Sequence, residues 1–348
     1  MKRSSYLLLH WTLLTSLFSI SFALTTPPSG AVVVRQSGTK SGEYSTVSAA
    51  VASLGSGSSN RTIFIYPGIF LILGLFLPYS LSHSLHFPSV GTYKEQVVIG
   101  YGGPLTIYGY ATSGGNWKTN EVTITNNLNA QDNGGNDGCA TVRAQKANLK
   151  LYNLNIANTY GPGKQATALS ARGTKQGFYG LYITGYQDTL LADVSGVQYY
   201  SNCLIEGAID YIYGKASAWF GECTLSNNGA GGAITANSRE TPDDPGYYVI
   251  DSSKVTSSVS GLTGKVFLGR PWRVLARVVY QRTELGDTIN PKGWTTMAEG
   301  ATPTFMEFEN TGAGSNTSQR QMTTPQNALL TKDVVLGSDY KTWIDTSF

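Results

Sequence analysis

Histidine is almost missing from this sequence. The 348 residues contain three: His10, His83 and His86. His10 lies in a leader-like segment, and the other two lie in a segment that fits poorly with its surroundings. A Ser-His-Asp triad or a histidine-bearing zinc site therefore has almost nothing to be built from. Any catalysis must lean on carboxylates, amides and arginine. Charge is also scarce. Lys, Arg, Asp and Glu make up 14% of the chain and the formal net charge is +3. No Lys/Arg run is present, so no nucleic-acid partner is expected. Low charge and 40 glycines argue against a charged helical protein and suit a β-rich one with many tight turns.

What is present begins with a secretory leader, residues 1–23. Lys2 and Arg3 supply the positive start, Tyr6 to Leu17 is largely apolar, and Ser21-Phe22-Ala23 fits the small-x-small cleavage rule. Leu24 then begins the mature chain, which is secreted to the extracellular space. The apolar run is shorter than the ~20 residues a membrane span needs, so no membrane association is expected. Loss of Lys2 and Arg3 takes the formal charge from +3 to +1. Asn60-Arg61-Thr62 and Asn316-Thr317-Ser318 are glycosylation sequons.

After the leader, Ala31-Val32-Val33-Val34 reads as a strand. Tyr44 to Leu54 has the spacing of a short amphipathic helix, with Val47, Ala50, Val51 and Leu54 on one side. Thr62 to Tyr66 is a second strand. From about residue 147 a repeat emerges. Leu151–Ile156, Phe178–Ile183, Tyr200–Ile205 and Phe220–Leu225 are alike. Their anchors Ile156, Ile183, Ile205 and Leu225 are 27, 22 and 20 residues apart. One short strand per repeat, with no helical pattern in the gaps, predicts an all-β solenoid. A sandwich would repeat its strands every 8–12 residues.

The repeat aligns polar residues. Gln165 and Gln187 are 22 apart, as are Asp188 and Asp210. A coil of that length stacks Gln165 on Gln187 or Asp188, and Asp188 on Asp210, about 4.8 Å apart. Two carboxylates that close cannot both ionise freely, so one keeps its proton beside a charged partner. That division suits one residue that attacks and another that donates a proton. Glutamine amides are good oxyanion donors. Arg270, in Leu268-Gly269-Arg270-Pro271-Trp272, is placed to hold one aspartate ionised.

These motifs resemble those of the pectin methylesterases, carbohydrate esterases built on a right-handed parallel β-helix. The resemblance runs from about Ala31 to the end. Gly91-Thr92-Tyr93-Lys94-Glu95 is similar to G-x-Y-x-E, and Gln165 to Leu169 to Q-A-x-A-L. Gly185 to Leu190 matches G-Y-Q-D-T-L, and Leu268 to Trp272 matches L-G-R-P-W. Asp210-Tyr211-Ile212-Tyr213-Gly214 resembles D-F-I-F-G with both Phe replaced by Tyr. The resemblance implies Asp210 as nucleophile, Asp188 as acid and then base, and Gln165 and Gln187 as oxyanion donors. It implies Arg270 as the anchor of Asp210, and Trp272, Tyr186, Tyr211 and Tyr213 as substrate-binding. The two tyrosine hydroxyls are expected to alter the polarity of the groove. No metal or cofactor is implied. The partner is methyl-esterified homogalacturonan, and the single-domain form looks microbial, particularly fungal. Nothing demands more than a monomer.

Residues 69–91 depart from this pattern. They contain no Lys, Arg, Asp or Glu, and deleting them restores Pro67-Gly68-Thr92-Tyr93. They read as an unspliced intron, with a docked insertion as the alternative. Cys203 and Cys223 fall on adjacent coils, which suits either a disulfide or two stacked thiols. A polygalacturonase would carry a Gly-His-Gly motif, which is absent. A lyase would need clustered acids for calcium, and a binding solenoid has no use for the polar set above.

Overall fold

The computed structural model describes residues 23–68, 91–194 and 196–348. All of the leader but Ala23 and all of the anomalous segment but Gly91 therefore lie outside the described residues, as do all three histidines. The architecture is a right-handed parallel β-helix. Three parallel sheets of ten, seven and eight strands run its length, and every named strand pair is parallel.

Each full coil contributes one strand to each sheet. Gln176–Tyr179 lies in the ten-stranded sheet, Tyr182–Thr184 in the eight-stranded sheet, and Leu190–Ala192 in the seven-stranded sheet. The repeat unit read as one strand is thus two strands and a corner. The corner residue explains the break. Asn153, Gly180, Asn202, Glu222, Ser252, Arg282 and Glu309 all have φ between 49° and 59°, at the same place on successive coils. A left-handed residue bends the chain from one sheet into the next, and period-2 alternation does not report it.

Stacking in register builds the core. Ile156, Ile183, Ile205, Leu225, Val255 and Leu285 are direct partners on consecutive coils. So are Leu151, Phe178, Tyr200, Phe220, Ile250 and Tyr280. The rings of Phe178, Tyr200 and Phe220 stack at 4.7 and 4.6 Å. All are buried. Burying one such side chain stabilises the fold by roughly 1.5–3 kcal/mol.

The residue after each corner seals the broken ladder. Cys203, Cys223, Ser253 and Thr283 follow one another there. The Cys223 thiol donates to the carbonyls of Tyr200 and Gly221, and Cys223 N–H donates to Ser253 Oγ at 3.0 Å. Ser253 Oγ donates to the carbonyls of Phe220 and Asp251, and Thr283 Oγ1 donates to those of Ile250 and Gln281. Cys203 and Cys223 are free buried thiols, not a disulfide. Sulfur fills the place that hydroxyls take in the later coils.

The ends are closed. Helix Val47–Ala52 buries Val47, Ala50 and Val51 at the first coils. The Glu95 carboxylate accepts from the N–H groups of Val47 and Ser48 at 2.8 and 2.9 Å, a capping arrangement favoured at a helix N-terminus. The Tyr93 hydroxyl donates to the Tyr66 carbonyl at 2.8 Å. The G-x-Y-x-E stretch is therefore structural. Near the C-terminus, helix Lys332–Leu336 covers the outside of the ten-stranded sheet with Trp343 and Ile344, over Tyr152, Tyr179, Tyr199 and Trp219. No helix among the described residues is long and apolar enough to cross a membrane.

Gly68 and Gly91, which flank residues 69–90, are hydrogen-bond neighbours: Gly91 N–H donates to the Gly68 carbonyl at 2.5 Å. The coil closes there without the intervening residues. A chain lacking residues 69–91 is expected to fold with a melting temperature within a few degrees of the full chain, as read by a thermal melt. A cooperative transition lost on deletion would show that the segment is part of the fold.

Candidate active site

The seven-stranded sheet presents one outward column. Arg143, Ser170, Leu191, Tyr213, Ala236 and Arg270 are register partners on consecutive coils. Leu191, Tyr213 and Ala236 form a small apolar patch beneath Trp272. Ala236 is short, so nothing large separates Tyr213 from Arg270.

The two aspartates sit on the turn that enters this sheet. Asp188 precedes Leu190 by two residues, and Asp210 precedes Ile212 by two. Leu190 pairs with Ile212, so the aspartates occupy equivalent positions one coil apart. Both backbones are left-handed, with φ 63° and 48°. Aspartate tolerates that region better than most residues, though at some cost in backbone strain. Ladder bonds hold both in place: Asp188 N–H donates to the Ile209 carbonyl at 3.0 Å, and Asp210 N–H to the Ala233 carbonyl at 2.7 Å.

The electrostatics of the pair are unequal. Arg270 grips Asp210 with two bonds, Nε to Oδ1 at 2.8 Å and Nη2 to Oδ2 at 2.6 Å. A bidentate guanidinium favours the ionised carboxylate. Asp188 has no such partner. Burial and then the charge of Asp210 push its pKa up to about 8, while an Asn136 hydrogen bond and Arg270 oppose the rise. Asp188 is therefore a protonated acid at neutral pH beside a charged neighbour.

A cavity of about 170 Å3 joins these groups. Asn136, Gln165, Gln187, Asp188, Asp210, Tyr213, Arg270, Trp272 and Met297 are among its lining residues. A second hollow of about 370 Å3 adjoins it and shares Asn136, Tyr213 and Trp272. All five polar residues singled out from the repeat meet here. Their register differs in one respect. Leu169 pairs with Leu190, a coil of 21 residues, so Thr167 lies level with Asp188 and Gln165 stacks on neither Gln187 nor Asp188. Gln165 reaches the cavity from one position further out.

The aromatic residues divide. Trp272 is half-buried at the rim, its ring 5.8 Å from that of Tyr213. Tyr213 forms the floor, with its hydroxyl 2.7 Å from Thr167 Oγ1. Tyr211 does not face the groove: it is fully buried in the core, and its hydroxyl donates to Asn227 Oδ1 at 3.1 Å. Tyr211 precedes the strand Ile212–Gly214 and directly follows the left-handed Asp210, so strand alternation does not extend to it and its ring turns into the core. Neither added hydroxyl is free to change the groove, because both are bonded internally. Tyr186 is half-buried and lies outside the cavity lining, with its hydroxyl over Gly229.

Two site residues carry no sequence signal. Asn136 Nδ2 donates to Asp188 Oδ2 at 3.1 Å, and Gln131 Nε2 donates to Gln165 Oε1. The second bond takes up the Gln165 oxygen and leaves its NH2 group available as a donor. Both residues precede the repeat, so no coil alignment marks them. Among the described residues no group of three or more His, Cys, Asp or Glu is placed to hold a metal ion.

A paired-aspartate cavity with amide donors on a parallel β-helix has the parts of a carboxylate-based ester hydrolase. Comparison with known proteins narrows the class. The Pectinesterase family model matches residues 87–343. Pectinesterase A of Emericella nidulans is 50% identical over 94% of this chain and 92% of its own length. The pectin methylesterase from Aspergillus niger superposes with a TM-score of 0.83 at 46% identity, covering 94% of this chain and all of that one. The pectin methylesterase from carrot gives 0.71 at 28% identity over 87% of this chain and 90% of its own. The chain belongs to the pectinesterase family of carboxylic ester hydrolases.

The raised pKa of Asp188 sets a pH window. Below about 8 the acid keeps its proton, and above that it is lost. A step that needs this proton declines through an alkaline limb near pH 8. A profile of kcat/KM from pH 5 to 10 checks this, and a flat response across pH 7–9 would contradict the protonated Asp188.

Proposed function

We propose that this chain hydrolyses the methyl esters of pectin, releasing methanol and leaving free carboxylates on the polymer. One observation carries the reading: an arginine-held Asp210 lies one coil from a protonated Asp188 in a single cavity. The ionised Asp210 attacks the ester carbonyl carbon. The oxygen that gains negative charge is met by the amides of Gln165 and Gln187. As the tetrahedral species collapses, the carbon–oxygen bond to the methoxy group breaks, and Asp188 gives that oxygen its proton. Methanol leaves, and an acid anhydride joins Asp210 to the substrate. Asp188, now ionised, takes a proton from water, whose oxygen attacks the anhydride. The polymer carboxylate and the starting enzyme are regenerated.

Trp272 and Tyr213 give the sugar ring an aromatic wall and floor. The leader at residues 1–23 exports the protein, which then acts outside the cell as a monomer. Asn60 and Asn316 are both exposed, as glycan acceptors must be.

Incubation with highly methylated pectin tests the activity. The expected result is methanol equimolar with new carboxylates and no loss of viscosity. Chain cleavage, or an absence of methanol, would overturn the reading. Asp210→Asn is expected to lower kcat by about a thousandfold or more with the melting temperature nearly unchanged. Retained turnover would assign the nucleophile elsewhere.

A further inference from the structure

The segment from Asn129 to Cys139 precedes the repeat and meets the cavity at Asn136, with Gln131 bonded to the lining residue Gln165. Its short helix, Gly135–Gly138, carries Asn136. Asn136 is half-buried and lines both the cavity and the adjoining hollow. Its Nδ2 donates to Asp188 Oδ2 at 3.1 Å.

The placement of Asn136 is built rather than incidental. The next residue, Asp137, is clipped to the outward column, accepting from Arg143 Nη2 at 2.5 Å and Ser170 Oγ at 2.7 Å. On the other side, the Cys139 thiol donates to the Asn136 carbonyl at 3.3 Å and accepts from Thr167 N–H at 3.4 Å. Thr167 is level with Asp188 in the neighbouring coil. The backbone at Asn136 is thus tied on both flanks to the coil next to the one that carries Asp188.

We propose that Asn136 is a positioning residue that decides which oxygen of Asp188 carries the proton. The inference rests on Asp188 acting as acid and base. A carboxylic acid has one O–H and one acceptor oxygen. An amide N–H facing Oδ2 makes that oxygen the acceptor and leaves the proton on Oδ1. During methanol release the Oδ1–H bond breaks, the proton passes to the departing methoxy oxygen, and Asp188 becomes a carboxylate. The Asn136 N–H then faces a negative charge, so its bond strengthens as the step proceeds.

The other groups around Asp188 do not duplicate this. Asp210 raises its pKa and Arg270 lowers it. Tyr213, below, and Cys139, on the same segment as Asn136, are held neutral by burial. Apart from Arg270, which is committed to Asp210, Asn136 is the group named here that favours the ionised form. Removing it raises the pKa further.

The test compares wild type, Asn136→Ala and the isosteric Asn136→Asp in methanol release from methylated pectin across pH 6–10. We expect kcat to fall about tenfold, with KM within about twofold. The alkaline limb should move up by about one pH unit in both variants, and further in Asn136→Asp, which adds a charge. Asn136→Gln should restore part of kcat and return the limb toward wild type. An unmoved limb, with kcat lowered equally at every pH or not at all, overturns the inference and leaves the esterase reading intact. No methanol from wild type would remove both. Should Asn136→Ala lose its cooperative melt, Asn136→Asp, which keeps the side-chain shape, decides the outcome.

Discussion

Backbone ladders between successive coils are the constraint on which this structure depends. In a parallel solenoid each strand bonds only to the coils above and below, and the spacing between coils is about 4.8 Å. A residue type that recurs at coil spacing is therefore brought into contact with itself. For Ile156, Ile183 and Ile205 this gives a continuous apolar column. For Asp188 and Asp210 it gives two carboxylates that cannot both be charged at low cost.

The fold resolves that conflict asymmetrically. Arg270 comes from Phe267–Pro271, two coils beyond Asp210, and leans back across Ala236 to bind it. Asp188, one coil the other way, is beyond reach of the same bidentate grip. Burial, and then the charge of Asp210, keep Asp188 a protonated acid beside its arginine-held neighbour. Left-handed backbone at both positions, fixed by ladder bonds, keeps their carboxyl groups on the cavity side.

The repeat made much of this legible. The column of Ile156, Ile183, Ile205 and Leu225 follows from spacing alone, and so does the Asp188–Asp210 pair. The corners were not legible. Glu222 and Arg282 carry no mark that sets them apart as left-handed, because the ladder bonds of neighbouring coils impose that conformation. Gln165 is offset by one position because the coil from Leu169 to Leu190 is 21 residues long, whereas the next, from Leu190 to Ile212, is 22. Period-2 alternation would put Tyr211 and Tyr213 on one face, but Tyr211 lies before the strand and after the left-handed Asp210, which turns it into the core. Asn136 and Gln131 were invisible because they belong to an excursion outside the repeat.

The sequence alone determined the chemistry available. With no histidine among the described residues, two aspartates at coil spacing, two glutamines and the arginine of Leu268–Trp272 are the groups that we propose react, and all are named by repeat and motif. Tertiary structure decided how that set is divided. Burial and the nearby Asp210 keep Asp188 protonated, a side chain two coils away holds Asp210, and which oxygen of Asp188 holds its proton depends on a segment from outside the repeat. None of these is written in the local sequence, because all arise from distances between residues that are far apart along the chain.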